Sequence, residues 1–146
     1  MELTARDVMT RDVVTIPETA SLRDAVHVLV NHEISGAPVV DESGNVVGML
    51  SEADILDERK REAALPRVAL FGVSIIPDDS LRRAYEEGMS LQVKDVMTKK
   101  VISVEEDTSV KEIARLMVRH RINRVPVIKD RRLVGIVARD DILRAL

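Results

Sequence analysis

The chain has 146 residues and a net charge of −3, with 45% hydrophobic and 32% charged residues, the balance of a folded globular protein rather than a disordered one. It contains no cysteine, which excludes disulfides, thiol catalysis and the usual structural zinc sites. Aromatic residues are reduced to Phe71 and Tyr85, so the core must be built from Val, Ile, Leu, Ala and Met, and the sequence offers no set of rings on which single-stranded nucleic acid would stack.

No stretch approaches the roughly 20 apolar residues of a transmembrane helix. The N-terminus, from Met1 to Asp7, is polar and lacks an apolar signal core, so a cytoplasmic location is expected.

In chain order, the first signal is the tetrapeptide Asp7-Val8-Met9-Thr10, which returns as Asp95-Val96-Met97-Thr98 at an offset of 88. A first strand is expected around Val14-Thr15, matched by Ile102-Ser103. Leu22, Ala25, Val26, Leu29 and Val30 then recur at i, i+3, i+4, i+7 and i+8, the buried stripe of an amphipathic helix, and Val110, Ile113, Ala114, Met117 and Val118 repeat it. Ser21 with Asp24, and Ser109 with Glu112, give both helices the same capping-box start. Gly36-Ala37-Pro38-Val39-Val40, the turn residues 41–45 and Val46-Val47-Gly48-Met49-Leu50 predict a β-hairpin. Its echo runs from Arg124-Val125-Pro126-Val127-Ile128 to Leu133-Val134-Gly135-Ile136-Val137; the second turn is one residue shorter, so the offset falls to 87. Each hairpin runs into a helix start, Ser51-Glu52-Ala53-Asp54-Ile55-Leu56 and Ala138-Arg139-Asp140-Asp141-Ile142-Leu143.

Residues 57–88 have no counterpart. Asp57-Glu58-Arg59-Lys60-Arg61-Glu62 predicts a charged, solvated helical extension. Beyond it, Asp78-Asp79-Ser80 predicts a short helix through Leu81, Ala84 and Tyr85, and the apolar stretch 65–76 reads as a docking surface or as surface covered in a dimer. The organisation is thus repeat 1–56, connector 57–88 and repeat 89–146. The expected class is α/β (α+β), with two β-α-β-β-α repeats. A unit of about 55 residues buries too little surface to be stable alone. The copies are therefore expected to pack through their sheets about a pseudo-twofold axis, sharing an aliphatic core and leaving clefts at the seam.

The ordered set resembles the tandem CBS-domain pair, or Bateman module. The matching features are Asp-Val-Met-Thr before the first strand, the helix, an apolar-Pro-apolar-apolar second strand, and the endings Gly48-Met49-Leu50-Ser51-Glu52-Ala53-Asp54 and Gly135-Ile136-Val137-Ala138-Arg139-Asp140-Asp141. The resemblance implies regulation rather than catalysis. It implies adenosine-containing ligands (AMP, ADP, ATP or S-adenosylmethionine) in two clefts, no required cofactor or metal, a homodimer, and an effector on a separate polypeptide. The motif's Asp would bond the ribose hydroxyls, with its Ser or Thr near the ribose–phosphate. Carried over, one cleft takes Ser51 and Asp54 with Thr98, Ile102, Ile122, Asn123, Arg124 and Pro126 from the other copy. The mirror cleft takes Asp141 with Thr10, Val14, Ile34, Ser35, Gly36 and Pro38. Ala138 stands where the family carries Ser or Thr, which removes a hydroxyl and makes the second cleft the weaker.

The residues themselves leave alternatives open. Ser51 with Asp54 is a capping box as well as a diol-binding pattern at a helix N-terminus that favours phosphate. Pro38 and Pro126 shape strand entry. Gly48 and Gly135 mark close approach of a backbone or a ligand. Met9 and Met97 read as core or interface residues. His32 and His120 are equivalent at the 88 offset and read as helix-end residues rather than metal ligands. Residues 1–56 carry net −7 and residues 95–146 net +4. That asymmetry either docks oppositely charged surfaces or, through Lys99, Lys100, Arg119, Arg121 and Arg124, attracts phosphate. A purely structural dimerisation module and a nucleic-acid binder using the basic second copy are the rival functions.

Overall fold

A computed structural model describes residues 2–64, 86 and 88–146. The order is α1 (Ala5–Val8), β1 (Ile16–Pro17), α2 (Leu22–Asn31), β2 (Gly36–Val40), β3 (Val46–Ser51), α3 (Glu52–Leu56) and α4 (Glu58–Ala64), then α5 (Val93–Val96), α6 (Val110–His120), β4 (Arg124–Lys129), β5 (Arg132–Ala138) and α7 (Arg139–Ala145). The class is α+β, as expected. The helix expected from Asp78 to Tyr85 and the apolar stretch 65–76 lie outside the described residues. Among those described, no helix is long and apolar enough to cross a membrane.

In the first copy β1 runs parallel to β2, with Ile16 opposite Val39, and β2 pairs antiparallel with β3. In the second copy the antiparallel pair β4–β5 stands without a full first strand. Val104 alone bridges Val127, its amide donating to Pro126 O at 3.0 Å and its carbonyl accepting from Ile128 N at 2.9 Å. Ile16 and Val104 hold equivalent places, one residue beyond the pairs expected to form the first strands. Both are buried where 14–15 and 102–103 are not, so burial decides where the chain pairs.

The hairpin turns differ as their lengths require. In the first, Asp41 Oδ1 accepts from Ser43 N at 2.9 Å and Asn45 N at 3.0 Å, and Gly44 takes φ +84°. In the second, Asp130 and Arg131 both have positive φ, 52° and 69°, the requirement of a two-residue turn that matches strand twist.

Both long helices begin at the expected serines, with the hydroxyl half of the capping box in place. Ser21 Oγ accepts from Asp24 N at 3.0 Å and Ser109 Oγ from Glu112 N at 3.1 Å. Their buried faces are narrower than the sequence stripe. Leu22, Ala25 and Leu29 are buried on α2, and Val110, Ile113 and Met117 on α6, whereas Val30 and Val118 are 68% and 80% exposed. Eight residues at 3.6 per turn carry the last position about 80° round from the first, onto the shoulder of the helix. His32 ends α2 with Nδ1 2.9 Å from Val28 O. Glu33 and Arg121, equivalent by 88, both reverse the chain in the left-handed region, at φ 53° and 54°.

The core divides into two clusters rather than forming one shared mass, and the repeated tetrapeptide explains how the copies are joined. One cluster gathers Ile16, Leu22, Leu29, Val39 and Leu50 of the first copy with Met89, Val93 and Val96 from the second tetrapeptide segment. The other gathers Val104, Ile113, Val125, Val127 and Val137 of the second copy with Ala5, and packs Val8 and Met9 against it. Each Asp-Val-Met-Thr segment is therefore built into the opposite copy. Backbone bonds fix the exchange: Ala5 N donates to Thr108 O at 2.8 Å, and Val93 N donates to Ala20 O at 2.8 Å. Arg6 adds an ion pair to Glu106 at 2.7 Å, and its hydrogen bond to that carboxylate, ahead of its charge, holds the Glu106 pKa below the ordinary glutamate value.

Candidate functional site: two clefts between the copies

The exchanged segments bring each hairpin's second strand against the threonine of the opposite tetrapeptide. Met49 and Thr98 exchange two backbone hydrogen bonds of 2.9 Å. Ile136 and Thr10 repeat the arrangement at 3.0 and 2.9 Å. Beside each bridge lies a cleft, of about 330 Å³ at the first and about 500 Å³ at the second, within the size range of small-molecule sites.

The first cleft brings together Ser51, Asp54, Thr98, Ile102, Ile122, Asn123 and Arg124. The second brings together Thr10, Val14, Ile34, Ser35, Gly36 and Asp141. Pro126 and Pro38 stand apart from both. They are fully buried inside β4 and β2, where their fixed φ shapes the strand and their rings fill the core. Lys100 and Arg121 join Arg124 on the first cleft's wall, while Lys99 and Arg119 line neither cleft.

Asp54 is the one buried charged residue among the described residues, at 8% exposure. Its Oδ2 accepts from Ser51 N at 3.0 Å and from Ser51 Oγ at 3.2 Å, and Ser51 Oγ accepts in return from Asp54 N at 3.3 Å. The cap reading of this pair therefore holds. The other oxygen faces the cleft: Oδ1 accepts from Thr98 Oγ1 of the opposite copy at 3.1 Å and from the ammonium of Lys60 on α4. Capping uses one carboxylate oxygen and leaves the second for the cleft, so the two readings coexist. α3 spans five residues, too few aligned peptides for a substantial dipole. Attraction for an anion falls instead to the arginine and lysine side chains.

Asp141 is arranged differently. Its Oδ2 accepts from Ala138 N at 2.8 Å, the backbone half of the box that survives without a hydroxyl, and its Oδ1 accepts from Arg144 Nη2 at 2.5 Å.

Arg124 reaches across the pseudo-twofold axis and lines both clefts, as does Ser35, whose Oγ accepts from Arg124 Nη2. The equivalent position in the first copy must be glycine for this to fit. A Cβ on Gly36 would lie 2.5 Å from Arg124 Nη1 and 2.8 Å from Leu50 O. Burial depresses the pKa of Arg124 from the ordinary arginine value, opposed by the nearby Glu52 carboxylate.

The clefts also differ in sign, in part through acidic side chains that the sequence reading passed over. Lys100 and Arg121 line the first, whereas Asp12 and Glu33, at the equivalent positions 88 earlier, line the second. Asp140 adds a further acid to the second cleft where the first has Ala53. A residue-by-residue comparison at the repeat offset would have shown these inversions.

The comparisons with known proteins agree with this architecture. The family model of the CBS domain matches residues 5–61 and 93–146. The chain belongs to the CBS domain family. As a CBS pair it is 32% identical over 151 residues to an uncharacterized protein of Methanocaldococcus jannaschii, MJ1426, covering 97% of this chain and 89% of that one. The crystal structure of the CBS domain pair of protein MJ0100, in complex with 5′-methylthioadenosine and S-adenosyl-L-methionine, superposes with a TM-score of 0.73 at 28% identity, covering 99% of this chain and 96% of that one. That of CBSX2 from Arabidopsis thaliana, in complex with AMP, superposes with a TM-score of 0.72 at 27% identity, covering 98% and 95%.

Proposed function

We propose that this CBS pair is a regulatory sensor rather than an enzyme, binding adenosine-containing ligands between its copies and signalling to a separate effector protein. The observation that carries the reading is the meeting of Asp54 and Thr98, from opposite copies, at 3.1 Å on the wall of a 330 Å³ cleft that Lys100, Arg121 and Arg124 also line. A carboxylate accepts bonds from vicinal ribose hydroxyls. Ile102 and Ile122 supply apolar surface for a base, and the guanidinium of Arg124 suits phosphate oxygens in a forked geometry. The adenosine ligands of MJ0100 and CBSX2 support the class of ligand.

The charge inversion divides the work. The basic first cleft selects a phosphorylated nucleotide. The second, where Asp12, Glu33, Asp140 and Asp141 outnumber Arg124 and Arg144, disfavours phosphate and takes an adenosine ligand with an uncharged tail, or binds weakly. Because the clefts form from both copies at once, a ligand stabilises one arrangement of the pair, which the effector reads as a difference in binding free energy. A second copy of the chain is the partner we assign to the exposed aliphatic side chains of Val30, Leu56, Val118 and Leu143, positions that correspond between the repeats. The net charges of −7 and +4 on the two repeat segments supply complementary surfaces for that pairing.

The decisive experiment titrates wild type and Arg124→Ala with AMP, ATP and adenosine by calorimetry. AMP and ATP are expected to weaken about tenfold, a change of about 1.4 kcal/mol, and adenosine by less than about twofold. Equal losses for all three overturn the phosphate role of Arg124. Binding of none of them to the wild-type protein overturns the sensor reading.

A further inference from the structure

Lys60 belongs to the stretch 57–62 that reads in sequence as a solvated charged helix. Its side chain is instead only 35% exposed, and its ammonium is paired with Asp54. The same nitrogen donates to Val96 O at 3.3 Å and approaches Thr98 Oγ1 at 3.5 Å. One cation thus ties α4 to the first copy's carboxylate and to the second copy's tetrapeptide.

An ionised carboxylate offers about four acceptor positions. Asp54 has donors for all of them: Ser51 N and Ser51 Oγ on Oδ2, Thr98 Oγ1 and Lys60 Nζ on Oδ1. A ribose that bonds to Asp54 must displace a donor. Ser51 N is fixed in the backbone at the start of α3 and lies on the far oxygen. The two hydroxyls sit on short side chains anchored in the strand and the bridge. Lys60 is the donor on a long, partly exposed stem, and the only one of the four from outside the β3–α3 and Met49–Thr98 junctions. The second cleft is arranged differently: the cation on Asp141 is Arg144, three residues on in the same helix, so that ion pair ties no separate element to the carboxylate, and the position equivalent to Arg144 in the first copy is Asp57.

Resting on the sensor reading, we infer that Lys60 is a tethered competitor for the ribose carboxylate of the first cleft. Ligand and Lys60 take Asp54 Oδ1 in turn, so that nucleotide binding releases α4. Lys60 thereby sets the affinity of the first cleft and links its occupancy to α4, the helix with which the connector begins.

The test compares wild type, Lys60→Met and Lys60→Arg, each in an Asp141→Asn background so that the first cleft alone reports. Adenosine, which has the diol and no phosphate, is titrated by calorimetry, and hydrogen exchange of the amides in Glu58–Ala64 is followed with and without it. Removing the competing ion pair is expected to tighten adenosine about fivefold in Lys60→Met, with Lys60→Arg staying close to wild type. Adenosine is expected to speed exchange in α4 of the wild type; in Lys60→Met exchange is fast from the start and adenosine leaves it unchanged. Equal or weaker adenosine binding by Lys60→Met overturns the competition. Exchange in wild-type α4 that ignores bound adenosine overturns the release. If adenosine binds to none of the three proteins, the ligand reading itself fails and the competitor proposal falls with it.

Discussion

A Cβ on Gly48 would lie 2.5 Å from Met97 Sδ and 3.0 Å from Thr98 O, which states the constraint on this residue in atomic terms. Gly135 faces Met9 in the same way. The tetrapeptide methionine of one copy lies over the strand glycine of the other, so the glycine answers to a neighbouring side chain and backbone rather than to a turn. Gly48→Ala is expected to cost about 1–3 kcal/mol in urea unfolding, the usual range for overpacking. Met97→Ala should recover part of that loss in the double variant, a non-additivity that marks direct contact; strict additivity would show that the two positions do not press on each other. Both members of the pair stand in the sequence as repeated letters. Their partnership does not, because nothing in the offset of 88 says that a segment packs against the other repeat instead of its own.

The exchange of segments governs the molecule at the level of its elements. The cluster around Ile16, Leu22 and Leu50 is completed by Met89, Val93 and Val96, and burial of each such side chain contributes about 1.5–3 kcal/mol. Those contributions are comparable to the whole stability of a small unit. A fragment of residues 1–64 therefore retains its strands and helices as sequence but loses the far wall of its core. It is expected to be unfolded by circular dichroism when alone and to fold when mixed with a fragment of residues 86–146. A stable fold in the isolated fragment would show that the borrowed segments are dispensable. Element type was legible from periodicity and capping residues, as α2, α6 and the two hairpins show. The first strands were less so, because two residues and a single bridge carry too little pattern to be located by alternation. Capping by Ser51 and Asp54 was legible as well, yet the second role of the carboxylate depended on Thr98 and Lys60, which arrive 44 residues later and six residues later in the chain.

For the whole molecule, the exposed positions are as informative as the buried ones. Val30 and Val118 are 68% and 80% exposed, and Leu56 and Leu143 are 73% and 58% exposed. Large aliphatic side chains left in water at matching places in both repeats are the face that the proposed dimer would cover. On the proposed dimer, the wild type is expected to sediment as a dimer at equilibrium and Val30→Asp with Val118→Asp as a folded monomer. A wild-type monomer, or an unchanged mass in the variant, would remove the assignment of a second copy to this face.

By itself the sequence determined the duplication, the kinds of elements and the carboxylates at Asp54 and Asp141, since periodicity, capping chemistry and repeated motifs are local properties that each segment carries with it. Only the tertiary structure decided that the tetrapeptides cross between copies, that Arg124 spans both clefts over Gly36, that the clefts are opposite in sign, and that Lys60 sits on Asp54. Those facts depend on which side chains of distant segments come within a few ångströms of one another, and that distance is set by the packing of the two cores around the pseudo-twofold axis rather than by any residue's neighbours in the chain.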